Sequence, residues 1–283
     1  MPISENENND ATSDPAGDGG TASSSSNGSG GTPPPQQGGY NFQAVKEHMM
    51  ANKVEAALWG TRVFTVFSAI FFMIPLLGNQ MSFYQRSLIS SAATSALRLH
   101  QRLPNFQLNR EFFGLLFMED SCHYLLFALI FINSHPVTLA LIPVFLFALL
   151  HATNFTKVIL DKLGPNSLQT LRNLITKLEL QQRSILRFIA CTEIFLMPAI
   201  IIMIFTGRSS ILLPFVYYRF LTLRYASRRN PYSRQLFYEM RVVVHQLVSK
   251  PQCPGFISSL CFKVMDIICK LAPQVAPDAA RAQ

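Results

Sequence analysis

Charge is scarce in this chain. Asp, Glu, Lys and Arg make up 14% of its 283 residues, against about a quarter in soluble domains. Ordered cysteine spacing is missing too. Cys122, Cys191, Cys253, Cys261 and Cys269 include no C-x-x-C pair, which excludes a zinc framework and a secreted disulfide scaffold; Cys122 and Cys191 sit in apolar runs, where a thiol acts as a small hydrophobe. There is no G-x-S-x-G, H-E-x-x-H, phosphate loop or dinucleotide fingerprint, so neither an enzyme nor a cofactor is expected. Helix-turn-helix, zinc-finger and RNP patterns are equally absent, and nucleic acid is not an expected partner. No stretch keeps up a polar/apolar alternation, which argues against a β-barrel. Residues 1–39 lack Lys, Arg and aromatics but hold five acids. That composition is a disordered polar tail, not a signal peptide.

What the chain does have is apolar length. It is 49% hydrophobic with 23 Phe and a mean hydropathy of +0.23, the profile of an all-α multi-span membrane protein. The organising stretch is Glu119 to Phe155, two apolar runs separated by Asn133-Ser134-His135-Pro136. Extended back to Phe112, its first limb would span roughly 30 Å as one helix, enough to cross a hydrocarbon core. Pro136 suits the first turn of the second limb.

Further runs flank it. Val63 to Leu77 follows Trp59 and Arg62, and Phe83 to Leu99 returns rich in Ser and Ala. Ile185 to Phe205 contains Glu193 and Pro198, and Ile211 to Tyr225 contains Pro214, Arg219 and Arg224. The expected membrane domain is therefore 40–231, with hairpins over 58–99, 112–155 and 185–225. An amphipathic lead-in covers Tyr40 to Gly60, and a basic amphipathic segment covers 157–184.

Charge placement sets the orientation. The connections Gly78–Ser82, Asn133–Pro136 and Thr206–Ser210 hold one formal charge, Arg208, whereas the longer ones are basic. Beyond residue 39 the chain carries 24 basic against 11 acidic residues, a balance of +13. The positive-inside rule then puts every long segment and both termini in the cytosol and predicts contact with anionic lipid. A lumenal N-terminus with three spans is the alternative, and the sequon Asn27-Gly28-Ser29 would then be glycosylated.

After Pro231, two amphipathic helices are expected over 232–272, before a disordered end at 273–283. Leu236, Phe237, Met240, Val243, Val244 and Leu247 form the apolar face of the first, and Phe256, Ile257, Leu260, Val264, Ile267 and Ile268 that of the second. Both are candidates for membrane-surface binding, with Arg224, Arg228, Arg229 and Arg234 as anionic-lipid contacts. Packing on the protein itself is the competing reading. Within the apolar runs, Glu119, Asp120, His123, Glu193 and Arg219 need partners. The expectation is structural pairing, Glu193 with Arg219 across the third hairpin. Glu119 and His123 share a helix face, but a metal site there lacks further visible ligands. A transporter built on helices broken at Pro75, Pro143, Pro198 and Pro214 is a rival reading; kinked limbs are the simpler one.

Three stretches are distinctive: SFYQRSLISSAATSALRLHQRLPNFQL at 82–108, EDSCHYLLFALIFINSHPVT at 119–138, and ACTEIFLMPA followed by YYRFLTLRYASRRNPY up to Tyr232. They resemble the transmembrane protein 33 family, especially its insect-type members, over about Phe42 to Pro273, and point to a relation with fungal pore-membrane proteins. The resemblance implies a non-enzymatic protein of the endoplasmic reticulum and nuclear envelope. It further implies association with reticulon-type proteins and nuclear pore components, and roles in the tubular network, pore distribution and the unfolded-protein response. Together these readings predict a scaffold that shapes or senses curved membrane. The alternative is a regulatory partner of a stress sensor or channel that makes contact through the intramembrane polar residues.

Overall fold

Residues 40–74, 78–103, 109–164, 167–227, 231–250 and 253–273 are described by a computed structural model. The tail 1–39, Pro75, Arg228, Arg229, Pro251 and the end from residue 274 lie outside them. Among the described residues there are eleven helices and no strand. A short lead-in, α1 (Phe42–Ala51), precedes α2 (Lys53–Met73), and α3 (Gln80–Arg102) returns beside it. Next come α4 (Arg110–Met118), α5 (Asp120–Ile132), α6 (Thr138–Leu163) and α7 (Gln169–Leu180). The series ends with α8 (Gln182–Phe205), α9 (Leu213–Ala226), α10 (Tyr232–Val248) and α11 (Gly255–Leu271).

Three of these helices, α2, α6 and α8, are long and apolar enough to cross a membrane. The chain is thus an all-α multi-span membrane protein. The pair α4 and α5 would make a fourth span, but they meet at an 82° bend. This corrects the continuous limb expected from Phe112 to Ile132. Glu119 is the break: its backbone is extended, with φ −86° and ψ 124°, and Asp120 follows in the first turn of α5, where the helix dipole favours an acid.

The second limb is longer than its apolar run. α6 continues past Leu150 to Leu163 and ends at Gly164, whose φ of +131° is open to glycine. Pro136 lies ahead of that helix, not in its first turn, since Val137 is the N-cap. Pro143 and Pro198 sit inside unbroken helices, and Pro214 occupies the first turn of α9.

Small hydroxylated residues explain why α3 returns against α2. Ser90 Oγ donates to the Thr61 carbonyl at 2.8 Å, Thr94 Oγ1 to Thr61 Oγ1 at 2.9 Å and Ser87 Oγ to the Thr65 carbonyl at 3.4 Å. The descending register makes the pair antiparallel, and small polar side chains let the backbones approach where lipid provides no hydrophobic drive. The limbs of the central hairpin part company: α5 packs mainly on α3 and α9, while α6 packs mainly on α2 and α8. Trp59 Nε1 fixes the α2–α6 contact by donating to Thr156 Oγ1 at 2.9 Å. An aromatic core holds the middle. Tyr124, Phe127 and Phe131 of α5 meet Tyr217 and Phe220 of α9, with Phe127 and Phe220 ring centroids 5.0 Å apart.

Candidate functional site

Two regions stand out, a polar one buried between helices and an amphipathic one displayed by the C-terminal helices. In the buried one, Glu193 of α8 is 1% exposed. Arg224 of α9, equally buried, donates from Nε to Glu193 Oε2 at 3.0 Å and from Nη1 to Asp120 Oδ1 at 3.4 Å. The Ser227 hydroxyl donates to the same Asp120 oxygen at 2.8 Å. Tyr124 donates to the Glu193 carboxylate, and Tyr217 to the Glu193 carbonyl at 2.7 Å. The Arg224 guanidinium lies over the Tyr124 ring, 5.1 Å from its centroid, and 5.8 Å from that of Phe147. One cation therefore ties α5, α6, α8 and α9 together.

The expected pairing of Glu193 with Arg219 is corrected. Arg219 is exposed, and Arg224 takes its place. The reason is helical phase: Tyr217, Phe220 and Arg224, at i, i+3 and i+7, form the inward face of α9, and Arg219 falls nearly opposite Tyr217. Burial also removes Arg224 from the lipid contacts, while Arg234 is half-buried. The remaining acids are engaged locally. Glu119 pairs with Arg102 of α3. His123 is fully buried; its Nε2 lies 2.7 Å from the Phe117 carbonyl and its Nδ1 3.7 Å from Asp120. Glu119 and His123 thus turn to different partners, and among the described residues no three His, Cys, Asp or Glu converge as metal ligands.

The C-terminal helices differ from one another. On α10, Leu236, Phe237, Met240 and Val244 are half-covered, whereas Val243 and Leu247 are about half exposed, at 51% and 54%. The cover comes from the bundle: α10 packs on α8 and α9, with Phe237 and Tyr225 rings 5.8 Å apart and an ion pair between Arg187 and Glu239. A single apolar face was expected to meet lipid, and part of it closes on the protein instead. By contrast, α11 buries no residue. Phe256, Ile257, Leu260, Val264, Ile267 and Ile268 are all exposed, Phe256 by 76%. Its far end is fastened by Tyr218, whose hydroxyl donates to the Leu271 carbonyl at 2.8 Å. On its polar side Lys270 donates to Asp266 at 2.7 Å, and this hydrogen bond, aided by the carboxylate charge, holds the ammonium above the usual lysine range.

A family model described as transmembrane protein 33/nucleoporin POM33 matches residues 36–274. The rat protein named transmembrane protein 33 is 56% identical over 232 residues, which is 81% of this chain and 94% of the rat protein. Its human counterpart is 56% identical over 231 residues, again 81% of this chain and 94% of the relative. Krueppel homolog 2 of Drosophila melanogaster is 39% identical over 235 residues, covering 83% of this chain and 84% of the fly protein. No solved structure matches.

Proposed function

The chain belongs to the transmembrane protein 33/POM33 family, and from that premise we propose that it is a non-enzymatic scaffold of the endoplasmic reticulum and nuclear envelope that shapes or senses curved membrane. One observation carries this reading: α11 presents eight large apolar side chains to the outside and buries none. A helix with that face lies in the headgroup boundary, where inserted area widens one leaflet and packing defects on a curved surface favour its entry. Helix lengths point the same way. At 13 and 14 residues, α5 and α9 reach about 20 Å each, short of a core about 30 Å thick. Each is joined in sequence to a longer helix, so the wedge would be broader on the side of the basic connections.

Reticulon-type proteins and nuclear pore components are the partners this reading takes from the family resemblance, and anionic lipid is the one it takes from charge. Both termini are assigned to the cytosol, so Asn27 stays unglycosylated in cells. The regulatory alternative gains less support, because Glu119, Asp120 and Glu193, which it would offer to a stress sensor or channel, already have partners within the chain.

The test is curvature sorting of the full-length protein reconstituted in giant vesicles from which thin tethers are drawn. Wild type is expected to concentrate on the tether relative to the vesicle, and the Ile257→Asp, Val264→Asp variant to lose most of that enrichment. Equal density of wild type on both membranes would overturn the reading.

A further inference from the structure

Away from the C-terminal helices, the bundle forms a partly open cavity of about 320 Å³. Its wall is unusually cationic for the interior of a membrane protein, with Arg62 of α2, Arg98 and Arg102 of α3 and Arg224 of α9. The carboxylates facing it, Asp120 and Glu179, are occupied, Asp120 by Arg224 and Glu179 by Lys157. Arg102 is answered by Glu119. Arg62 and Arg98 make no ion pair among the described residues, although Glu55 lines an adjoining hollow of about 250 Å³ that also touches both.

Two of these guanidiniums are deeply buried and incompletely satisfied. Arg62 is 5% exposed; its Nη1 reaches the His151 carbonyl at 3.5 Å, and its Nη2 has no partner. Arg224 is 1% exposed, and its Nη2 is likewise without a partner. A buried charged donor left unmade is costly, and native proteins rarely retain one without a ligand, ion or water to receive it. Here the two residues that carry such donors line one space. The side-chain type also matters: guanidinium forks match the oxygens of phosphate, and Ser91 and Ser121 add hydroxyls to the same wall.

We propose that this cavity is a binding site for a phosphate monoester, carried by a membrane lipid headgroup or by a soluble inositol phosphate, and held by Arg62, Arg98 and Arg224. Its size, at the low end of small-ligand pockets, admits a headgroup and leaves no room for a nucleic-acid strand or a folded segment. Its position fits a lipid source. Arg62 lies in the first half of α2, while Arg98 lies just ahead of the last turn of α3 and Arg224 in the last turn of α9. These ends lead to the long basic connections, where anionic headgroups gather.

The experiment uses the full-length protein in phosphatidylcholine nanodiscs. One arm adds phosphatidylinositol 4-phosphate, one adds phosphatidylserine at equal total charge, and one titrates soluble inositol 1,4-bisphosphate. Bound ligand is counted by native mass spectrometry. Wild type is expected to bind the phosphoinositide saturably and in preference to phosphatidylserine. Arg62→Gln and Arg98→Gln should each weaken it about tenfold or more, the loss of a charged hydrogen bond, while Lys177→Gln, exposed on α7, leaves it unchanged. Competition by inositol 1,4-bisphosphate that needs a far higher concentration than the lipid identifies a headgroup site, and tighter binding of that compound than of the lipid identifies a soluble ligand. Should Arg62→Gln fail to fold, half-buried Arg98 carries the comparison, with the melting temperature checking that variant's integrity. Unchanged affinity in Arg98→Gln, or phosphatidylserine binding as tightly, would overturn the proposal. Either result leaves the curvature reading standing, because α11 takes no part in this wall.

Discussion

Glu193 with Arg224 and Asp266 with Lys270 are the same chemical contact in opposite surroundings. The first pair is 1% exposed on both sides and sits among four helices; the second is 60% and 73% exposed on a single helix at i, i+4 spacing. In the interior the loss of hydration is large, so each charge depends on its partner. On α11 water and salt do most of the solvating, and the pair adds little. The same division separates the two halves of the molecule. The bundle uses polar groups to fix which helices meet, whereas α11 leaves its apolar row uncovered for something outside the chain.

The sharpest way to break that comparison is to unpair the buried cation. Glu193→Gln leaves Arg224 with only Asp120 as counter-charge and should destabilise the protein by about 3–5 kcal/mol, read as a lowered unfolding midpoint in detergent. Adding Arg224→Gln should recover part of the loss; strict additivity of the two changes would mean that the pair is not coupled. A smaller effect is expected where small side chains set helix spacing. Ser87 is fully buried between α3 and α2, and Ser87→Leu should cost about 1–3 kcal/mol through overpacking. Ser87→Ala, which keeps the volume, should cost less, and a reversed order would deny that close approach is what matters there.

The sequence announces some of this more clearly than the rest. Long apolar runs and short connections that hold a single charge locate α2, α5, α6, α8 and α9, because hydropathy is a property of neighbouring residues. Ser87, Ser90 and Thr94 at helical spacing mark α3 as a packing limb in the same local way. The partner of Glu193 is not local. Arg219 lies in the limb that follows Glu193, but pairing also depends on helical phase, and the signal that marks Arg224 is its spacing of seven from Tyr217 on the face shared with Phe220. The bend at Glu119 was also visible in principle, since two adjacent acids inside an apolar run suit a helix start better than a helix middle. The extension of α6 beyond Leu150 was hidden for a different reason: Thr153 and Thr156 look like an exit from the membrane, yet Thr153 is buried and Thr156 receives Trp59. No spacing rule joins Arg62 to Arg98 and Arg224, so the cavity appears only once the helices are assembled.

The smallest effects are expected at the two exposed cations, and they complete the comparison. Arg219 and Arg224 share a helix and a residue type, and only the phase of α9 separates them. Arg219→Gln should leave the unfolding midpoint unresolved from wild type, because its side chain stands outside the bundle. Lys270→Gln should do the same despite its short contact with Asp266, since a solvated i, i+4 pair has little to lose. Raising the salt concentration separates the classes further: screening acts on exposed charges and barely on buried ones. The deficit of Glu193→Gln should therefore persist in high salt. If Arg219→Gln were as damaging as Glu193→Gln, the phase of α9 would be wrong, and Arg219, not Arg224, would be the buried cation.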